Sequence, residues 1–164
     1  MKMPFRFVRP LLAASLLAAL AGCVQLARVD ATADAKYRSL VGREFELRED
    51  FLACGVKQDS ARPAIHEVAI MPPPGLGGRF IVALGRIPAG SRFRIVGVTN
   101  HRSELFPKTE YVVLFLDHRI PGAEGKPVRI YNVALWPLYE KPAEAGAAPT
   151  LSERYFRPVT GTQP

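Results

Sequence analysis

The sequence predicts a mainly β domain, a small antiparallel barrel or sandwich of about six strands with little helix. Three observations predict it. Short runs rich in Val, Ile, Phe, Tyr and Leu recur between clusters of Gly, Pro, Asn and Asp. One of these runs alternates apolar and charged residues strictly, which is the period of a strand with one buried face. No window from residue 23 onward carries a 3.6-residue apolar stripe long enough for a substantial helix.

The elements follow in chain order. Helix is confined to a turn near Lys36–Leu40 or to the tail. Arg43-Glu44-Phe45-Glu46-Leu47-Arg48 is the alternating strand, with Phe45 and Leu47 on one face and Glu44, Glu46 and Arg48 on the other. Further strands are expected over Ala64–Ile70, Arg79–Ile87, Ser91–Thr99, Thr109–Asp117 and Val128–Trp136. Three consecutive prolines in Met71–Gly78 lack the N–H groups of a sheet ladder, so that segment is a connection. Ile87-Pro88-Ala89-Gly90-Ser91 reads as a tight turn joining two strands, because Pro presets one φ and Gly tolerates a positive one. Beyond Trp136 the chain turns rich in Pro, Ala and Gly, an extension over the surface. Within it Arg154–Val159 is apolar enough to dock as a sheet edge, the position that suits Pro158.

The stretch Arg86–Val98, an apolar residue, Pro, Gly and a small residue before an alternating strand, resembles SH3-like small barrels. That resemblance implies a closed antiparallel barrel, while an OB-like barrel or a sandwich remains compatible with the same hairpin chemistry.

The chain has 164 residues, with 22 Lys and Arg against 15 Asp and Glu, 48% hydrophobic residues and two cysteines. This fits one small domain with appendages and excludes a wholly disordered, collagen-like or disulfide-stapled chain. Residues 1–10 carry Lys2, Arg6 and Arg9 without an acid, and 11–22 are apolar without a charge. An apolar run of this length falls short of the roughly 20 residues that span a bilayer, so a cleaved leader is expected. Leu20-Ala21-Gly22-Cys23 resembles the lipobox of bacterial lipoproteins. The resemblance implies removal of residues 1–22, a diacylglyceryl thioether and N-acylation on Cys23, and a membrane held through that lipid. Val24 stands where an Asp tends to retain such proteins in the inner membrane, so the outer membrane, periplasmic face, is the expected address. The competing reading is an ordinary secretory leader, which leaves Cys23 free or paired with Cys54. Without residues 1–22 the chain keeps 19 basic and 15 acidic residues. Residues 23–36 are expected as lipidated N-terminus and flexible tether, 37–136 as the β domain, and 137–164 as a partly docked extension.

Catalytic and cofactor signals are absent. Gly75-Leu76-Gly77-Gly78 follows prolines where the strand of a phosphate-binding turn should end. His66, His101 and His118 have no metal-clasp spacing, and no GxSxG elbow is present. No cofactor, metal or nucleic acid is expected. Cys54, flanked by Phe51, Leu52, Ala53 and Val56, reads as a buried small hydrophobe. Charge is uneven: from Arg79 to Lys108 there are six basic residues against Glu104 alone. Arg92 and Arg94 share a strand face, and Arg86 lies just across the Pro88–Ser91 turn, so these three make a candidate binding patch for an envelope protein, anionic lipid or cell-wall glycan. The same arginines can instead pair with Glu44, Glu46, Glu49 or Asp50. Tyr111, Tyr131 and Trp136 are candidate aromatic contacts for a glycan, with core packing as the competing reading. The expected role is a non-catalytic binding, accessory or scaffold protein of the envelope. A glycan module, an envelope inhibitor or a motif-less hydrolase gathering a His with Asp117, Glu104 or Cys54 are the alternatives.

Overall fold

The computed structural model describes residues 28–59, 61, 63–101, 108–131, 137–140, 142, 144 and 146–159. Among them eleven strands form: β1 (Arg28–Asp30), β2 (Glu44–Leu47), β3 (Phe51–Lys57), β4 (Ile65–Met71), β5 (Ile81–Ile87), β6 (Arg92–His101), β7 (Lys108–Phe115), β8 (Val128–Ile130), β9 (Tyr139–Glu140), β10 (Thr150–Leu151) and β11 (Phe156–Pro158). The helical content is one 3₁₀ turn, Ala35–Tyr37, whose preceding Asp34 side chain accepts from the Lys36 N–H. The protein is mainly β with little helix, as its periodicity predicts.

Nine strands make one sheet in the order β11-β2-β6-β7-β8-β4-β3-β5, with β1 also paired to β6, and β9 and β10 form a separate ribbon. Every pair is antiparallel except β4 with β8. The sheet is therefore mixed, and its ends β11 and β5 do not pair, so the expected closed antiparallel barrel is corrected to an open sheet. It bends over on itself all the same. Leu47 of β2 accepts from Gly90 N–H and donates to Ser91 O in the turn that follows β5, 2.8 and 3.0 Å. Phe51 and Phe156, from strands far apart in the order, bring their rings within 5.5 Å.

The inner face lines the core. Phe45, Leu47, Phe51, Phe93, Ile95, Val98, Tyr111 and Ile130 are buried there, and Phe156 of the C-terminal segment closes it against Phe51 and Phe93. Each fully buried large apolar side chain contributes roughly 1.5–3 kcal/mol relative to exposure. Leu138, Leu151 and Tyr155 are buried in the same core, so the region after residue 136 is part of the domain as well as an appendage. Tyr111 and Tyr139 meet with ring centroids 5.2 Å apart, and the Tyr139 hydroxyl donates to Ile130 O at 2.8 Å and accepts from Tyr111 N–H at 3.2 Å.

Three further corrections have physical reasons. The count of about six strands omits β3, because Phe51–Lys57 has apolar partners on both faces and therefore no alternation: Phe51 and Ala53 enter the main core, while Cys54 joins Ala69 and Met71 in a second apolar group covered by Leu76. Cys54 is buried there, as its neighbours predict. The flexible tether expected over 23–36 is corrected from residue 28 onward, since Arg28–Asp30 pairs with Thr99–His101 and the chain then continues through buried Tyr37 and Leu40. The Pro88–Ser91 turn exists, with Gly90 at φ 87° and Ser91 N–H donating to Pro88 O at 3.2 Å, yet it joins no hairpin. β5 pairs with β3 and β6 with β2 and β7.

Candidate functional site

Two charged regions occupy the outer face of the sheet. The first lies under β1. Strand register brings Arg28 opposite His101, Thr99 opposite Glu110, and Arg129 opposite Ala69, two positions from Glu67. Arg28 Nη1 and Nη2 donate to the two Glu67 carboxylate oxygens at 2.5 and 2.9 Å, a bidentate pair between residues 39 positions apart. Arg129 Nε donates to Glu67 at 2.9 Å and its Nη1 to Thr99 Oγ1 at 2.8 Å. The Tyr131 hydroxyl donates to Glu67 at 3.3 Å. Arg28 Nε donates to His101 Nε2 at 3.2 Å and lies 3.4 Å from Glu110, whose other oxygen is 3.2 Å from His101.

Burial and pairing oppose one another in this cluster. Burial pushes the Glu67 carboxyl upward, but hydrogen bonding and charge from Arg28, then Arg129, outweigh it and hold Glu67 below the usual glutamate range. Burial likewise works against the Arg28 charge, and Glu67 with Glu110 raises its pKa above the ordinary arginine value. Desolvation raises Tyr131, with Glu67 and Glu110 adding to it. Two arginines face two glutamates, so the charges balance and the site is a clasp that fastens β1 to the sheet.

The second region is the open outer face of β2, β6 and β7. Arg92, Arg94 and Val96 alternate with buried Phe93 and Ile95 and so share the outward face of β6. Leu114 of β7 lies opposite Arg94, and Leu116 follows two positions on. Leu114 is 55% exposed, Val96 43% and Leu116 38%. Val96 sits in a register shift between Ile95 and Gly97, a bulge that carries its side chain out of the ladder. Arg94 pairs with Glu44. Arg92 Nε donates to Asp117 at 3.2 Å, while its backbone N–H donates to the same carboxylate at 2.9 Å. The surface is thus an apolar strip beside two arginines that already hold acid partners.

The sequence-predicted residues divide among these places. Cys23 and Trp136 lie outside the described residues. Arg86 is on β5 opposite Leu52 and pairs with Asp50, which also accepts from Ala89 N–H at 2.8 Å, so it is not on a hairpin with Arg92 and Arg94. Tyr111 is wholly buried, its hydroxyl donating to Pro149 O, and offers no ring to a glycan; burial pushes that hydroxyl well above its usual range. Tyr131 belongs to the clasp. His101 meets Glu110 and Arg28 rather than Asp117 or Cys54. Among the described residues no group of three or more His, Cys, Asp and Glu could hold a metal ion. Val96, Leu114 and Leu116 were not singled out from the sequence, although a signal exists. Tyr111–Leu116 is six apolar residues in a row, and a strand with one core face must turn alternate members of such a run outward.

Comparison of the chain with protein-family models, with curated proteins and with solved structures found no match.

Proposed function

We propose that this chain is a lipid-anchored protein of the bacterial cell envelope, on the periplasmic face of the outer membrane, that binds a partner protein and does not catalyse a reaction. The lipobox-like Leu20-Ala21-Gly22-Cys23 supports the anchor. The observation that carries the binding role is the outer face of β6 and β7, where Leu114, Val96 and Leu116 stand exposed beside Arg92 and Arg94. An apolar strip with guanidinium groups at its side suits a partner presenting apolar side chains among carboxylates. Anchoring both proteins to one membrane raises their effective concentration, so a weak interface is sufficient.

The test is site-specific photo-crosslinking from position 114 in intact cells, repeated with Arg92→Glu and Arg94→Glu together. A discrete crosslinked partner that disappears in the double variant, with the variant's circular dichroism unchanged, is the expected result. A partner that persists would remove this face from consideration. Intact mass of the membrane-extracted chain, beside Cys23→Ser, checks the anchor separately.

A further inference from the structure

Cys23 and Arg28 are five positions apart, and Arg28 is fixed in the sheet by β1–β6 pairing and by Glu67. A chain reaches at most about 3.6 Å per residue, so whatever path the intervening residues take, the Arg28 Cα lies within about 18 Å of the Cys23 Cα. A tether running on to residue 36 would allow about 47 Å by the same measure. The reach available to the domain is set by where β1 begins.

The sheet has a direction relative to that point. Arg28 lies opposite His101, the last residue of β6, which lies opposite Lys108, the first residue of β7. Both strands run from this end to the pair Phe93–Phe115, seven residues along β7, or about 23 Å at 3.3 Å per residue. Arg92, Arg94, Leu114 and Leu116 are all near that far end, as is the connection from β7 to β8 that carries Gly122 and Glu124.

Resting on the lipoprotein reading above, we propose that the domain stands end-on upon its own leaflet, with the Arg28–His101–Lys108 end of the sheet against the phospholipid headgroups. The face bearing Arg92, Arg94 and Leu114 is then held away from that leaflet. The headgroups beneath lie out of reach of these two arginines, and the partner, anchored in the same membrane, meets them above the headgroups. The short reach does the orienting, and the β1 clasp makes the reach short.

Energy transfer to acceptor-labelled headgroups tests this in vesicles containing the membrane-extracted, lipidated protein. Donors go on Asp30→Cys, Ala33→Cys and Glu124→Cys, three exposed positions, with Cys54 buried and left unlabelled. Ala33→Cys spares the hydrogen bonds that Thr32 donates to Asp30. Transfer several-fold stronger from positions 30 and 33 than from 124 is expected, and inserting ten Gly and Ser residues between Ala27 and Arg28 should lower all three and erase the difference. Equal transfer from 30 and 124, in protein whose intact mass shows acylated Cys23, overturns the end-on arrangement and leaves the lipoprotein reading standing. A Cys23→Ser protein with the same transfer pattern also overturns it, because orientation would then owe nothing to the tether. Absence of acyl mass on Cys23 overturns both.

Discussion

Arg28 and Arg92 each meet a carboxylate, but in opposite surroundings. Arg28 shares Glu67 with Arg129 and Tyr131, and the Glu67 side chain is only 4% exposed. The Arg92 and Asp117 side chains are 49% and 37% exposed, and water screens both. Breaking the first pair leaves charge in a largely buried cluster that water screens poorly, whereas breaking the second hands two ions back to solvent. The clasp is therefore a device of the fold, whereas Arg92 on the β6–β7 face can change partner at little cost to stability; Arg94 stands between the two, since the side chain of its partner Glu44 is only 8% exposed.

Substitutions can separate the two. The largest effect is expected for Glu67→Leu, which leaves Arg28 and Arg129 without their shared carboxylate and should cost about 3–5 kcal/mol in urea denaturation. Its pH dependence carries a sign. The folded Glu67 pKa lies below the ordinary 4.5, so its contribution is complete above that value and is lost as pH falls through the lower folded one. The stability gap between wild type and Glu67→Leu should accordingly narrow as pH drops below about 4.5. A gap that stays constant to pH 3 would show that the carboxylate charge does not hold the clasp.

Arg28→Ala comes next, at about 1.5–3 kcal/mol, because Glu67 keeps Arg129 and Tyr131 when these charged hydrogen bonds are removed. Its particular signature is local: amide exchange should accelerate along Arg28–Asp30 and the facing Thr99–His101 while β3 and β4 stay protected. Uniform loss of protection would mean that β1 is no separable unit. The smallest effect belongs to Arg92→Ala, within about 0–1 kcal/mol by the same denaturation measurement, and reduced further by salt. A loss above 2 kcal/mol there would erase the contrast between the regions.

Strand periodicity was legible wherever one face of the sheet meets water. Arg43–Arg48 alternates because Phe45 and Leu47 enter the core while Glu46 and Arg48 face outward and Glu44 is covered by its pair with Arg94, and β2 forms within it. Pro158 marks Arg154–Val159 as an edge, and β11 is the last strand beside β2. β3 was hidden by its own burial, since Cys54 and Ala53 point to different apolar groups and no period survives. β1 was hidden for the opposite reason: Arg-Val-Asp is too short to show a period, and Arg28 finds its partners His101, Glu67, Glu110 and Tyr131 only after β4, β6, β7 and β8 are in place.

The sequence by itself determined the β class, the sharing of one face by Arg92 and Arg94, the burial of Cys54 and the turn at Gly90, because each depends on chemistry within a few residues. Tertiary structure alone decided that β5 pairs with β3 rather than with β6, that Asp50 and not a neighbouring arginine meets Arg86, and that the chain is fastened from Arg28 onward. Register and pairing order are contests among distant segments, settled by which faces bury together and which charges then find a partner, and no local period encodes that outcome.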